Sequence, residues 1–391
     1  MFVKLSCALQ TPSCRPFPFT SLTCQKQASR ARRERPPRSP SRPQIARSAT
    51  AGTREVLETL ISKQDLSADQ TQQALQELLE NAEPAQTAAF LVLLRSKGET
   101  PEEVMGLARA MLRNAVPVEA QGNLVDIVGT GGDGIGSVNI STGAAIIAAA
   151  AGAKVAKHGS RSVSSLCGSA DVLEALGVSV ELGPESISKC LDAHNIGFMF
   201  APRYHPAMKA VSPVRRALRI RTAFNLLGPL LNPARPPYGL IGIYSPSIAP
   251  LMAAALQGLG TQKALVVHSG GLDELTPLAD ADVVEVTPEG TRSFTVEPQK
   301  MGIQRCTVED LKGGDAFLNA AILRDAFAGK KGAVADALCL NAGFALAASK
   351  VTETPEDGVA LAQEVQVSGK ALSLLDAWAS FSQHLQQQEQ G

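Results

Sequence analysis

The stretch Leu124-Val-Asp-Ile-Val-Gly-Thr-Gly-Gly-Asp-Gly134 decides the fold: a short apolar run enters a glycine-rich loop, and a helix is expected to start near Asn139. Glycines at 131, 132 and 134 let backbone N–H groups approach phosphate oxygens without obstruction by a Cβ. A helix N-terminus behind such a loop adds partial positive charge and free donors. Asp133, Ser137, Asn139, Ser141 and Thr142 crowd polar groups around the turn, more than helix capping requires.

Gly129, Gly131 and Gly134 also satisfy the G-x-G-x-x-G spacing of dinucleotide folds. A dinucleotide unit needs an acidic residue at the end of its second strand, about 20 residues on, to hold a ribose. Here the next strand ends in Lys157-His158, which inverts that requirement. The segment continues as Lys157-His-Gly-Ser-Arg-Ser-Val-Ser-Ser165, with two cations, one imidazole and four hydroxyls in nine residues. In parallel sheets the carboxyl ends of the strands form the ligand crevice, so this segment is expected to face the glycine loop across one cleft. Charged donors contribute roughly 1.5–3 kcal/mol per hydrogen bond, so two or three of them can anchor a polyanion.

Other short apolar runs, Lys154-Val-Ala156, Tyr238–Tyr244 and Ala264-Leu-Val-Val-His268, alternate with helical stretches, which argues for a mostly parallel α/β sheet flanked by helices. After the last of these runs, the turn Ser269-Gly-Gly271 leads to Asp273-Glu274. Adjacent carboxylates on a strand-end loop suit magnesium, a hard ion that keeps several waters and borrows phosphate ligands. Pro213-Val-Arg-Arg-Ala-Leu-Arg-Ile-Arg221 carries four arginines, any one of which could form a planar clamp on a carboxylate.

Upstream, residues 53–116 read as wholly helical. Ser67 with Gln70 and Thr100 with Glu103 are spaced as capping boxes, Pro101 suits a first helical position, and Gly98 suits the end of a helix over Ala85–Lys97. Residues 185–222 again read as helix and loop. They are expected to pack with residues 51–116 as a small helical domain, leaving 117–184 and 223–391 as the α/β domain.

Hydrophobic residues make up 45% and charged residues 19% of the 391, as in ordinary globular chains, while aromatics at 4% leave little for stacking on nucleic-acid bases. The zero net charge hides a split: residues 1–50 hold ten Lys or Arg against the single acidic Glu34, so residues 51–391 sum to −9. An acidic body is not the footprint of a nucleic-acid binder. The Ser- and Pro-rich head, with Arg30, Arg32, Arg33 and Arg35, reads as an organelle transit peptide ending near Arg47–Gly52. Cys167, Cys190, Cys306 and Cys339 show neither metal-ligand spacing nor a disulfide framework. The longest small-apolar run, Ala144–Ala151, is far short of the ~20 residues that span a bilayer.

The combined motifs resemble the anthranilate phosphoribosyltransferase family of the tryptophan pathway. The stretches that carry the resemblance are Asp126–Gly134, Asn139–Thr142, Lys157–Ser165 with Gly168–Gly177, Pro213–Arg215, Arg221–Pro233 and Gly271–Glu274, and the likeness extends over residues 53–385. The ending Glu364–Trp378 is similar to plastid members in particular.

The resemblance implies a homodimer joined through the helical domain, in the chloroplast, with the mitochondrion as the less favoured organelle. It implies phosphoribosyl pyrophosphate on Gly129, Gly132, Asp133, Ser137, Asn139, Ile140, Ser141, Thr142, Lys157, His158, Gly159, Ser160, Arg161, Ser162, Val163, Ser164, Ser165 and Ser169. Magnesium would lie on Ser141, Asp273 and Glu274, and anthranilate on Gly129, Ser160 and Arg215. Lys157 and Arg215 are the expected catalytic residues, and His158 is the only nearby candidate for a general base. Ser160 departs from the Asn usual in the family; a shorter hydroxyl reaches less far. The rival readings are a pyrimidine nucleoside phosphorylase, which uses free phosphate, and an inactive nucleic-acid-binding relative of the same fold.

Overall fold

The computed structural model describes residues 52–81, 83–162 and 166–391. The expectations for residues 1–50, and for Val163, Ser164 and Ser165, lie outside the described residues.

Among the described residues four helices come first: α1 (Thr53–Ile61), α2 (Ala68–Asn81), α3 (Pro84–Lys97) and α4 (Pro101–Arg113). Their boundaries follow local chemistry. At α2 the Gln70 N–H donates to Ser67 Oγ at 3.2 Å, while the Ser67 N–H donates to Gln70 Oε1 at 2.9 Å. At α4 the Glu103 N–H reaches Thr100 Oγ1 at 3.2 Å, and the Thr100 N–H reaches Glu103 Oε2 at 2.9 Å. Both reciprocal pairs satisfy N–H groups that a helix start otherwise leaves open. Gly98, at φ 94°, closes α3 in a conformation that L side chains rarely adopt.

The chain then alternates between strands and helices. It runs β1 (Leu124–Gly129), α5 (Ile140–Ala150), β2 (Lys154–Gly159), α6 (Ser169–Ala175), α7 (Pro184–His194), β3 (Ile196–Phe200), α8 (Ala201–Tyr204), α9 (Met208–Leu218) and α10 (Phe224–Leu227). It continues through β4 (Tyr238–Gly242), α11 (Ala249–Gly258), β5 (Lys263–Ser269), β6 (Ala281–Thr287) and β7 (Gly290–Val296). Four helices end it: α12 (Ala316–Phe327), α13 (Ala333–Ala348), α14 (Pro355–Val367) and α15 (Lys370–Gln390). No described helix is long and apolar enough to cross a membrane.

The seven strands form one sheet in the order β3-β2-β1-β4-β5-β6-β7, parallel from β3 to β5 and antiparallel from β5 to β7. Alternate side chains sort to opposite faces. Leu240, Leu265 and Val267 join the core formed with α5, α7 and α13–α15. Ile241, Ala264 and Val266 join a second core with α1–α4, α9, α10 and α11. The N-terminal helices share this second core with α11, which itself packs on β5 and β6.

The expectation for residues 185–222 needs correction. Ile196-Gly-Phe-Met-Phe200 is a fully buried strand in register with β2, and Ile187, Cys190 and Leu191 of α7 pack in the first core. Only the α9 part, through Val211 and Val214, joins the N-terminal helices. A strand covered on both faces loses the polar alternation that marks a strand in sequence, which is why this run read as part of a helical region. The β6–β7 hairpin was likewise not foreseen.

The sheet places the site. Chain order runs outward from β1 through β2 to β3, then returns to the other side of β1 at β4. The crevice beyond the carboxyl ends of β1 and β4 is the switch point at which open α/β sheets bind ligands.

Candidate functional site

Three loops meet at that crevice. The first follows β1, the second follows β4, and the third follows β5 and carries Asp273. Gly129 and Gly242 are neighbours in register across β1 and β4, and a Cβ on either would overlap Asp273, its carboxylate in one case and its backbone carbonyl in the other. Their bare backbones let the Asp273 carboxylate accept the Gly131 N–H at 2.6 Å. The Thr130 N–H donates to the Gly242 carbonyl at 2.9 Å, and its hydroxyl oxygen accepts the Tyr244 N–H at 3.1 Å. Gly131 and Gly132 take φ of 68° and 83°, which only glycine adopts without strain. Further along, the Gly313 N–H binds the Gly136 carbonyl at 3.0 Å and the Val138 N–H binds that of Leu311 at 2.9 Å, tying the loop around Ser137 to the approach to α12.

Asp133, Asp273 and Glu274 each bring a carboxylate oxygen within 4.8 Å of the others. Burial, then the charge of Asp133, pushes Asp273 up to about 6. Burial, then Asp273 and Asp133, raises Glu274 well above the ordinary carboxylate range, and its buried Oε2 has no hydrogen-bond partner among the described residues. Repelling carboxylates with an unsatisfied oxygen fit a hard divalent cation, which would relieve both penalties. Asp133, expected only as a substrate contact, thus belongs with the acidic pair; nothing in a linear reading joins it to residues so far along the chain. Ser141 lies at the second position of α5, partly exposed.

Beneath the carboxylates lies a buried polar layer. Lys157 is 2% exposed and donates from Nζ to the Ile127 carbonyl at 2.7 Å. Burial lowers its pKa, while Asp126 and Glu274 work to keep the ammonium charged. Burial also pushes Asp126 up to about 6 against the pull of Lys157. Asn232 donates to Asp126 at 2.7 Å and to the Ala156 carbonyl at 2.8 Å, joining β1 to β2. Lys157 is thus an internal cation under the acidic cluster, not the open phosphate contact expected. His158 is buried, its ring and that of His205 standing edge-on at 5.1 Å. Burial, then His205, lowers His158 to about 3, so it is neutral and a poor proton acceptor. His205, missed in sequence, is itself held down to about 4 by burial.

The other expected contacts divide. Arg161 pairs with Glu174, and with Asp171 at 3.1 Å, so its charge is engaged by α6 and is not free for a polyanion. Asp171 also accepts the Ser162 and Gly168 N–H groups at 3.0 and 2.8 Å, shaping the turn into α6. Ser160 is exposed, with its hydroxyl turned back to the Arg161 carbonyl at 2.9 Å. Ser169 opens α6 against Gly159, where an added Cβ would meet Ser169 Oγ at 3.2 Å. Asn139 does not cap α5 with its side chain: it accepts from Asn319 at 2.9 Å and donates to the Cys167 carbonyl at 3.1 Å, linking the glycine loop to the loop after β2. The Ile140 side chain lies in the core, so only its backbone can serve a ligand. Thr142 is buried and its hydroxyl has no hydrogen-bond partner among the described residues.

Arg215 is half-buried over the Phe224 ring, 5.3 Å from its centroid, and forms no ion pair among the described residues. Burial lowers its pKa. Arg221 takes a different partner: it donates to the Gly132 carbonyl and lies 3.9 Å from the Tyr244 ring centroid.

Comparison with known proteins agrees with this fold. Residues 54–115 match the model described as "Glycosyl transferase family, helical bundle domain", and residues 121–372 match that of the "Glycosyl transferase family, a/b domain". The anthranilate phosphoribosyltransferase of Chlamydia felis is 44% identical over 330 residues, 84% of this chain and 96% of the relative. The crystal structure of the Thermus thermophilus enzyme superposes with a TM-score of 0.80 at 43% identity, over 84% of this chain and 99% of that one. The Saccharomyces cerevisiae enzyme in complex with PRPP and Mg gives a TM-score of 0.79 at 28% identity, over 85% and 98%.

The acidic cluster predicts a pH-dependent response to magnesium. With Asp273 raised to about 6, the metal-free native state holds more protons than the unfolded chain between the ordinary carboxylate range and that value. Stability contributed by the cluster is therefore present at low pH and lost as pH rises through about 6. Magnesium binds the ionised form, so the rise in Tm that it produces should be small near about pH 5 and larger near about pH 8. Scanning calorimetry with and without magnesium measures this; a rise independent of pH would contradict the assignment.

Proposed function

The chain belongs to the anthranilate phosphoribosyltransferase family, and from that premise we propose that it transfers the phosphoribosyl group of phosphoribosyl pyrophosphate to the amine of anthranilate. The observation that carries the reading is the meeting of Asp133, Asp273 and Glu274 with a glycine loop at the switch point of the sheet.

In the reaction the amine nitrogen bonds to the anomeric carbon as the carbon–oxygen bond to pyrophosphate breaks. Negative charge grows on the leaving group and the sugar becomes cation-like. Stabilisation then comes from fixed donors and charge around the pyrophosphate. The glycine loop's bare backbone admits the phosphate oxygens, and Lys157 adds a buried positive charge below them. Arg215, without an anionic partner among the described residues, is oriented by Phe224 to take the anthranilate carboxylate and align the amine. His158, neutral and without a hydrogen-bond partner at Nε2 among the described residues, offers a polar wall and not a strong base.

Asp273 and Glu274, with Asp133 beside them and Ser141 as an added oxygen, would hold magnesium. Bound there, the ion supplies Lewis acidity toward the pyrophosphate oxygens.

Residues 1–50 serve as a plastid address, in keeping with their basic, acid-poor composition. Two copies pair through the helical part, where Ile61 and Val92 are exposed apolar side chains.

Loss of anthranilate fluorescence, with each substrate and magnesium omitted in turn, tests the reaction directly. Asp273→Asn with Glu274→Gln should cut magnesium-dependent turnover by about a hundredfold or more; near-normal turnover would remove the metal assignment. Arg215→Ala should raise the anthranilate KM by roughly ten- to a hundredfold, the loss expected for a charged hydrogen bond, with the donor KM little changed. Equal losses for both substrates would reject the clamp. A chain lacking residues 1–50 should keep full activity and lose import into isolated plastids; unimpaired import would refute the address.

A further inference from the structure

We propose that Arg221 is a positioning residue for the donor: it fastens the glycine loop in its phosphate-receiving shape. The inference rests on the functional reading above and adds a residue to it.

The glycine loop is costly to hold still. Gly131, Gly132, Gly134 and Gly136 all take positive φ, between 68° and 83°, and glycine loses more backbone freedom on ordering than any other residue. Three attachments come from the sheet side: the Gly131 N–H to Asp273, the Thr130 N–H to the Gly242 carbonyl, and the Tyr244 N–H to Thr130 Oγ1. Arg221 supplies a further one from outside the sheet, out of the connection between α9 and α10. Its guanidinium donates to the Gly132 carbonyl while its Cζ lies over the Tyr244 ring, 3.9 Å from the centroid. Tyr244 thus serves the clasp twice, through its ring to Arg221 and through its N–H to Thr130.

The choice of acceptor atom matters chemically. The Gly132 carbonyl is a partial negative charge in a loop that is to receive phosphate, and the Arg221 guanidinium offsets it. A planar guanidinium can stack and donate at once; an ammonium can only donate. Pyrophosphate needs the loop already ordered, so losing the clasp should weaken donor binding and leave the acceptor clamp at Arg215 intact.

The test compares Arg221→Met, Arg221→Lys and, as a control on the exposed face of α9, Arg216→Met. Steady-state KM for each substrate is measured, with calorimetric titration of phosphoribosyl pyrophosphate and Tm for each variant. Arg221→Met should raise the donor KM and Kd by about tenfold, the scale of one charged hydrogen bond, with anthranilate KM changed less than about twofold. Arg221→Lys should fall between Arg221→Met and the unmodified chain, and Arg216→Met should match the latter. Equal rises in both KM values, or donor affinity unchanged in Arg221→Met, would overturn the proposal. If the unmodified chain shows no transfer at all, the functional reading fails. The clasp is then judged by pyrophosphate titration alone: weaker binding by Arg221→Met supports it, and equal binding overturns it.

Discussion

The site depends on one close approach: the loop after β5 lies against two strands that have no side chains where it touches them. Gly129 and Gly242 sit side by side at the ends of β1 and β4, and the volume their Cβ atoms would fill belongs to Asp273. From that fit follow the 2.6 Å bond to the Gly131 N–H and the meeting of Asp273 and Glu274 with Asp133. A larger residue at Gly242 would have to move the Asp273 backbone, and one at Gly129 would displace the Asp273 carboxylate, shifts that packed interiors resist.

That arrangement stores electrostatic tension. Three carboxylates stand together above a buried lysine, and burial acts on all the raised or lowered groups in the same direction, toward neutrality. Lys157 and Asp126 compensate each other only in part, with Asn232 taking up a remaining lone pair of Asp126. Under the proposed function, a divalent ion and a polyanion would suit such a site better together than either alone. The cation offsets the carboxylates, and the polyanion meets the cation.

Much of this was legible in the chain. The glycine loop, four of the seven strands and the two capping boxes follow from local rules, because each depends on residues within a few positions of one another. The Asp273-Glu274 pair was legible from its place after a buried strand and a glycine turn. What escaped depended on distance in sequence. Asp133 joins a cluster with partners far along the chain, and Arg221 differs from the neighbouring arginines only in what the fold sets opposite it. Arg161 looked like an anion contact until α6 supplied Glu174 and Asp171. β3 was hidden for the opposite reason: its five buried residues carry no periodic signal.

Sequence families divide this chain neatly into a bundle and an α/β part, but its hydrophobic packing does not. The second core runs from Leu60 and Leu107 through Phe224 to Ile241 and Val266. At its seam, Gly258 of α11 leaves room for Met105 of α4, where a Cβ would collide with the thioether. Chimeras that exchange the first 116 residues between relatives must therefore carry the matching α11 surface with them. The unit of inheritance across that seam is the interlocked pair, and drift on one side constrains substitution on the other.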